Sequence, residues 1–277
     1  MLIGVAQPPV FAMPVDPVYV RDYAQAAEGL GYHHYAFAEH VAGRGNFHEA
    51  FAHLGYLAGI TQRMELVTCM MLLLVRPAAL VAKQASHVDL ISGGRLRLGV
   101  SVSHSELEYE ALGVDFKSRG KRIEEQIEVI RRLWAEETID FEGRFHTIHT
   151  GIGPRPGRQI PIWMGGGTQE DAIPAPRVLN RIARLADGFI PLSSMDPARA
   201  PELAEKLAAA CRDVGRDPGT LGLEGDITLQ DKTPDDWARE TACWRDAGAG
   251  YLMLRSRAAR AQQIEDLRRY KETVGIA

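Results

Sequence analysis

Short apolar runs and helix-like segments alternate along the whole chain, and nothing else in the sequence restricts the fold so far. The runs lie at residues 2–6, 34–38, 64–74, 96–102, 160–164, 189–192, 221–229 and 251–254. Several helices between them stop at glycine, as at Gly31, Gly93-Gly94 and Gly215, because glycine adopts left-handed backbone angles freely and releases a helix into a strand. The run 64–74 is apolar at nearly every position rather than alternating, as expected of a strand covered on both faces. This order argues for parallel strands joined by helical crossovers. Eight units in 277 residues fit an α/β fold of the (β/α)8 TIM-barrel type better than a doubly wound sheet. The latter would want GxGxxG after an early strand, where this chain has Gln7-Pro8-Pro9. No linker-like segment interrupts the alternation, so residues 1–277 are read as a single domain.

Local signals mark the helix ends. Asp16-Pro17 supplies an N-cap followed by proline at the first helical position, and Val20, Ala24 and Ala27 recur at helical spacing beyond it. A second helix is expected at roughly 47–60, and Pro77 opens a third with Val81, Ala85 and Val88 in register. Residues 121–134 form the most regular helix, with Ile123, Ile127, Ile130 and Trp134 on one apolar face. Glu142-Gly143 reads as the turn of a small hairpin. A further helix is expected at about 178–185, Asp196-Pro197 caps the next, and Thr233-Pro234 with Asp236 makes a capping-box start.

Composition removes several function classes. The chain has 32 basic and 36 acidic residues and no basic block interleaved with aromatics, which disfavours nucleic-acid binding. Its longest apolar run is about half a membrane span, and MLIGVAQPP has neither a basic segment nor a cleavage site, so a soluble cytoplasmic protein is expected. Cys69, Cys211 and Cys243 match no zinc or CxxC spacing and read as reduced core residues. The nine histidines show no HxxxH or HExxH pair, so no metal site is expected, and GVSVS is not the GxSxG of a serine hydrolase.

In a barrel of this kind the working face is built from strand carboxyl ends. Those ends carry Gln7; Glu39 and His40; Thr68, Cys69 and Met70; Ser101, Ser103 and His104; Gly165, Gly166, Gly167 and Thr168; Pro191 to Ser194; Asp226 and Thr228; and Arg255. An imidazole at position 40 could donate to a ring carbonyl or shuttle a proton near neutral pH; a histidine capping the next helix is the structural alternative. Gly165-Gly166-Gly167-Thr168 has the composition of a phosphate cradle, in which backbone N–H groups and a hydroxyl converge on an anion; a simple turn is the alternative. Thr68-Cys69-Met70 suits a bulge against a flat ring, although a packed core strand also explains such a run. Cys69 has apolar neighbours and no adjacent cation, which removes it as a nucleophile. His33 and His34 begin a strand and belong to the opposite, stabilising end. Phe11, Phe47 and Met195 are loop residues that read either as the lining of a substrate pocket or as simple packing.

With these strand ends in place, the sequence resembles the luciferase-like monooxygenase superfamily, in particular the small oxidoreductases assigned to the deazaflavin coenzyme F420. The resemblance rests on AEGLGYHHYAFAEH ending at His40, VRPAALVAKQASHVDLISGGRLRLGVSVS at 75–103 and EYEALGVDFKSRGKRIEEQIEVIRRLW at 108–134. It continues through FEGRFHTI at 141–148, PIWMGGG at 161–167, RIARLADGF at 181–189 and GAGYLMLR at 248–255. What it implies is a barrel with a deazaflavin or flavin ring across its strand ends. His40 matches the active-site histidine, and Thr68 to Met70 match a bulged third strand, often with a non-prolyl cis peptide, that backs the ring. Ser101 to His104 match the loop after the fourth strand, Gly165 to Thr168 the phosphate-side loop, and Arg119 a basic residue near the rim. Three departures stand out: Ser-Val-Ser replaces a glycine-rich turn, residues 170–177 lengthen the loop after the glycines, and no carboxylate directly follows the fourth strand. The last of these weighs against the sugar-phosphate dehydrogenases of the superfamily.

The activity implied is hydride exchange between F420 and a small organic substrate, by a homodimer. An FMN-dependent monooxygenase using O2 and reduced flavin from a separate reductase is the first alternative, and a non-catalytic flavin-binding homologue the second.

Overall fold

The computed structural model describes residues 1–8, 16–42 and 47–276. Its strands are β1 (Leu2–Ala6), β2 (His34–Phe37), β3 (Glu65–Thr68), β4 (Met71–Leu72), β5 (Leu96–Ser101), β6 (Ile139–Glu142), β7 (Thr147–Thr150), β8 (Ile162–Gly165), β9 (Gly188–Ile190), β10 (Gly222–Thr228) and β11 (Tyr251–Arg255). The α-helices are α1 (Pro17–Leu30), α2 (Ala50–Ile60), α3 (Ala78–Ile91), α4 (Glu106–Ala111), α5 (Arg119–Ala135), α6 (Pro176–Leu185), α7 (Ala200–Asp213), α8 (Pro234–Asp246) and α9 (Arg260–Val274). Parallel pairing runs β3-β2-β1-β11-β10-β9-β8-β5, and a β3–β5 pair closes the ring. With β4 continuing the third stave, the fold is a (β/α)8 barrel. The hairpin β6–β7 stands outside it as a separate antiparallel pair.

The helix signals act as the residue chemistry requires. Asp16 accepts from the amides of Val18 and Tyr19, Pro17 starts α1, and Gly31 ends it at φ 95°. Thr233 and Asp236 form the reciprocal capping box at α8. The apolar face of α5 buries Ile123, Ile127, Ile130 and Trp134, each contributing roughly 1.5–3 kcal/mol, and Trp134 Nε1 donates to Ala82 O. Among the described residues no helix is long and apolar enough to cross a membrane.

Four expectations need correction. The third run is not one strand to Leu74: β3 ends at Thr68, the Cys69–Met70 peptide is cis, and β4 passes into a 3₁₀ turn at Leu73–Val75. The second helix starts at Ala50, where Glu49 caps it. The sixth starts at Pro176, since proline suits a first helical turn better than the loop it was assigned to. Asp196-Pro197 caps a 3₁₀ turn at Pro197–Arg199, and α7 begins just after it.

Most of the core lies between strands and helices. A smaller cluster drawn from the strands, including Ala6, Ala36, Val67, Trp163, Ile190 and Met253, fills the barrel interior. Small residues there permit close backbone approach. A Cβ added at Gly99 would lie 2.0 Å from Thr68 O.

Candidate active site at the barrel mouth

The end of β2 delivers His40 to the mouth, where its side chain is 29% exposed. Its Nδ1 lies 3.3 Å from both carboxylate oxygens of Glu108, and Nε2 has no partner among the described residues. A ring whose Nδ1–H donates to a carboxylate keeps its lone pair on Nε2, so the exposed nitrogen is the one able to take a proton. Phe47 packs edge-on against the imidazole with ring centroids 4.8 Å apart. Phe47 therefore lies beside His40, whereas Met195 is buried in the core and Phe11 lies outside the described residues.

Glu108 is the functional candidate that sequence reasoning missed. It sits in the first turn of α4, wholly buried. Besides His40 it accepts from Val41 N at 3.0 Å, Ala42 N at 3.5 Å and Ser103 Oγ at 3.1 Å. No carboxylate directly follows the fourth barrel strand, as expected, but Glu108 stands behind it in the first turn of α4. The usable signal was Ser105-x-x-Glu108, a helix-start spacing; Ser105 Oγ does accept from Glu108 N.

The other candidates divide. Ser103 adopts a left-handed φ of 52° and joins the Glu108 network. Ser101 ends β5 opposite Leu72, whereas His104 is exposed. Thr68 has its hydroxyl committed to Gly99 O at 2.7 Å, and the Met70 side chain fills the space above Gly165, so these two shape the third stave. Gln7 Nε2 donates to Ala38 O at 3.2 Å, which leaves Gln7 Oε1 buried without a partner. Gly166 and Gly167 have N–H groups without an acceptor among the described residues. Thr168, expected to join them, is instead tied into a turn with Asp171, whose carbonyl accepts from Thr168 N at 2.7 Å. The next helix starts only at Pro176, so no helix N-terminus backs these glycines. Arg119 stacks on Phe116 at 3.7 Å and donates to its carbonyl, making none of its described contacts with the other mouth residues.

Beneath the mouth lie two ionic groups. Arg255, at the end of β11, donates through Nε to buried Asp226 on β10 and brings Nη2 to 3.8 Å from Cys69 Sγ. A cation does therefore adjoin Cys69, contrary to expectation, yet burial still pushes the thiol up to about 12, leaving it unreactive. Lower down, Arg97 binds Glu65 at 2.9 Å and Glu224 at 2.7 Å, between the rings of Trp163 and Tyr251. His34 Nε2 meets the other Glu224 oxygen at 2.7 Å. His33, His34 and Glu65 bring ligand-type atoms within 4.8 Å of one another, a grouping no sequence spacing announced. Of that group, Glu65 is paired with Arg97 and His34 with Glu224. A separate cavity of about 440 Å³, lined by Ala204, Leu207, Cys211, Leu223 and Ala247, opens between α7 and α8 beside the start of β10, away from the strand carboxyl ends.

The sequence pattern of luciferase-like monooxygenases matches residues 3–274. The chain belongs to the luciferase-like monooxygenase family. A Mycobacterium tuberculosis protein of uncharacterised function is 39% identical over 145 residues, 52% of this chain and 48% of its own. The chain thus spans about half the length of that curated relative. An F420-dependent glucose-6-phosphate dehydrogenase of Segniliparus rotundus is 28% identical over 234 residues, covering 80% of this chain and 67% of that protein. Among solved structures, an F420-dependent secondary alcohol dehydrogenase in complex with an F420-acetone adduct shares the fold with a TM-score of 0.80. Its identity is 15%, over 98% of each chain. In this luciferase-like chain the closed barrel, the non-prolyl cis peptide in the third stave and a histidine at the second strand's end all stand where the resemblance put them.

Proposed function

We propose that this protein is an F420-dependent oxidoreductase that interconverts a carbinol and a carbonyl group on a small organic substrate. The observation that carries this reading is His40, with Nδ1 held by a wholly buried carboxylate and Nε2 open at the mouth. Removing a hydride from a carbinol carbon requires that the hydroxyl proton leave as well, and Nε2 is the group placed to accept it. Glu108 keeps the ring in one tautomer and stabilises the imidazolium that forms. The F420-dependent dehydrogenases of similar sequence and fold support the cofactor class.

The residues fit a ring cofactor with a phosphate-bearing tail: Gln7 Oε1 after β1 is a buried acceptor without a partner, and Gly166 and Gly167, after β8 across the barrel, have backbone donors without an acceptor among the described residues. Bound there, F420 would supply or accept the hydride. Gln7, Cys69, Met70, Ser101, Gly166 and Gly167 would hold it, while Thr68 acts from behind through Gly99.

Purified protein titrated with F420 is expected to quench tryptophan fluorescence at micromolar concentration. His40→Ala should keep that affinity within about threefold while losing roughly 100-fold or more in turnover, in line with general-base catalysis. Full turnover in this variant would rule out the proposed role. The family's monooxygenase character favours one second reading, FMN with O2. Tight FMN binding together with oxygen uptake coupled to product would select it, and binding of neither cofactor would point to a non-catalytic homologue.

A further inference from the structure

At the end of the barrel opposite the mouth, His34 has a nitrogen with nothing to bind. Its ring is wholly buried, and Nε2 lies 2.7 Å from a carboxylate oxygen of Glu224, itself 1% exposed. An imidazole that gives its Nε2 proton to a carboxylate keeps its lone pair on Nδ1. His34 Nδ1 is buried without a hydrogen-bond partner. A carboxylate behind one ring nitrogen and a lone pair on the other is the arrangement in which histidine holds a metal ion, because the carboxylate fixes the tautomer and raises the basicity of the ligating nitrogen.

Two further donors stand beside it. His33 Nδ1 is also buried without a partner. Glu65 spends Oε2 on Arg97 Nε at 2.9 Å, and its Oε1 accepts no hydrogen bond among the described residues. One ligand-type atom from each of His33, His34 and Glu65 lies within 4.8 Å of the other two. The backbone fixes that grouping: Glu65 pairs in register with His34, its N–H donates to His33 O at 2.9 Å, and His33 N donates to Ile3 O at 2.7 Å. Gly4 leaves the room, since a Cβ there would stand 2.2 Å from the His34 ring. Solvent reaches the group because His33 is half-buried and the Glu65 side chain 20% exposed. The charge suits a cation, as the carboxylates of Glu65 and Glu224 outnumber the one guanidinium, Arg97, that lies between them.

We propose that His33, His34 and Glu65 form a three-ligand site for Zn2+ at the barrel floor, with Glu224 and Arg97 orienting His34 and Glu65 from behind. Two imidazoles and a carboxylate are donors that zinc takes, and three protein ligands leave a fourth position to water. Zinc bonds of about 2.0–2.2 Å set tetrahedral ligand atoms roughly 3.3–3.6 Å apart. The ion therefore draws the triangle in by turning the side chains of His33 and Glu65, the two that are not sealed in. So placed, it ties the start of β2 to the start of β3. The site lies at the far end of the barrel from His40 and is independent of the cofactor reading.

The test strips the full chain with a chelator, then titrates it with Zn2+ by calorimetry and with Co2+ by visible absorption, whose d–d bands report an ion held by nitrogen and oxygen ligands at low coordination number. One ion per chain at micromolar or tighter affinity is expected, with a thermal midpoint that rises with Zn2+ concentration, because the ion binds the folded state. His33→Ala and Glu65→Gln should each weaken Zn2+ roughly tenfold or more and abolish the Co2+ bands. His149→Ala, at the exposed group His149, Asp140 and Glu142 on the β6–β7 hairpin, should leave both unchanged. Glu65→Gln keeps an oxygen for Arg97, so it carries the comparison alone should His33→Ala not give a cooperative thermal transition. Wild-type protein that takes up neither ion at micromolar concentration overturns the site. Affinity that survives the floor variants, or that is lost in His149→Ala, overturns it as well and assigns the metal to the surface.

Discussion

Glu108 accepts from four donors at once, two backbone amides, a hydroxyl and an imidazole, from a side chain with no exposed surface. Glu108→Ala would strand those donors in the interior. A loss of about 1–3 kcal/mol in stability is expected, with kcat/KM falling roughly 100-fold because the His40 tautomer is no longer imposed. Urea melts and steady-state kinetics measure the two effects separately. Glu108→Gln should recover most of the stability and little of the rate, since an amide can fill the space but not balance an imidazolium. His40 was legible in the sequence because it follows an apolar run directly. Glu108 was not, because ELEYE reads as a solvated acidic helix face until the fold turns that helix back across the mouth.

The third stave shows where strand-level reading stops. From Met64 to Leu74 every position but Glu65 and Thr68 is apolar or a soft cysteine, and periodicity cannot mark a break in a run that is buried on both sides. The interruption after Thr68 depends on neighbours distant in sequence, chief among them Gly99 on β5, whose missing Cβ makes room for Thr68 O. Gly99→Ala should therefore cost about 2–3 kcal/mol, read as a lowered denaturant midpoint with the slope unchanged, since a backbone carbonyl rather than a flexible side chain stands in the way. Helix starts marked by a local cap were legible from sequence, whereas those of α2, α6 and α7 were displaced. The starts of α1 and α8 rest on Asp16 and Thr233, caps that act within four residues and need no tertiary partner. The phosphate-side loop fell between these cases: its glycines were visible, but the commitment of Thr168 to Asp171 was not.

Across the whole molecule, buried titratable groups predict sensitivity to acid. Burial, reinforced by His48, holds His53 down at about 3, well below an exposed imidazole. The unfolded chain therefore takes up the proton first, and stability falls as pH drops below about 6.5. The loss attributable to this group alone is about 2 kcal/mol by pH 5. Burial pushes the Glu224 carboxyl up, but Arg97 and His34 outweigh it and hold it at about 2. Its stabilising contribution is complete above the ordinary glutamate value and disappears as pH falls toward 2. Urea melts at pH 7.5 and 5.0 should show the first effect, and His53→Leu should flatten it; an unchanged difference would assign the sensitivity elsewhere. The eightfold alternation announced this architecture, yet not the ions sealing its lower end, because Arg97, Glu65 and Glu224 come from three strands far apart in sequence. Arg97, Trp163 and Tyr251 pack together across that floor, so among the described residues the barrel axis is filled at this end. A cofactor and a substrate that both entered from the opposite end would be expected to leave in the reverse order of their arrival.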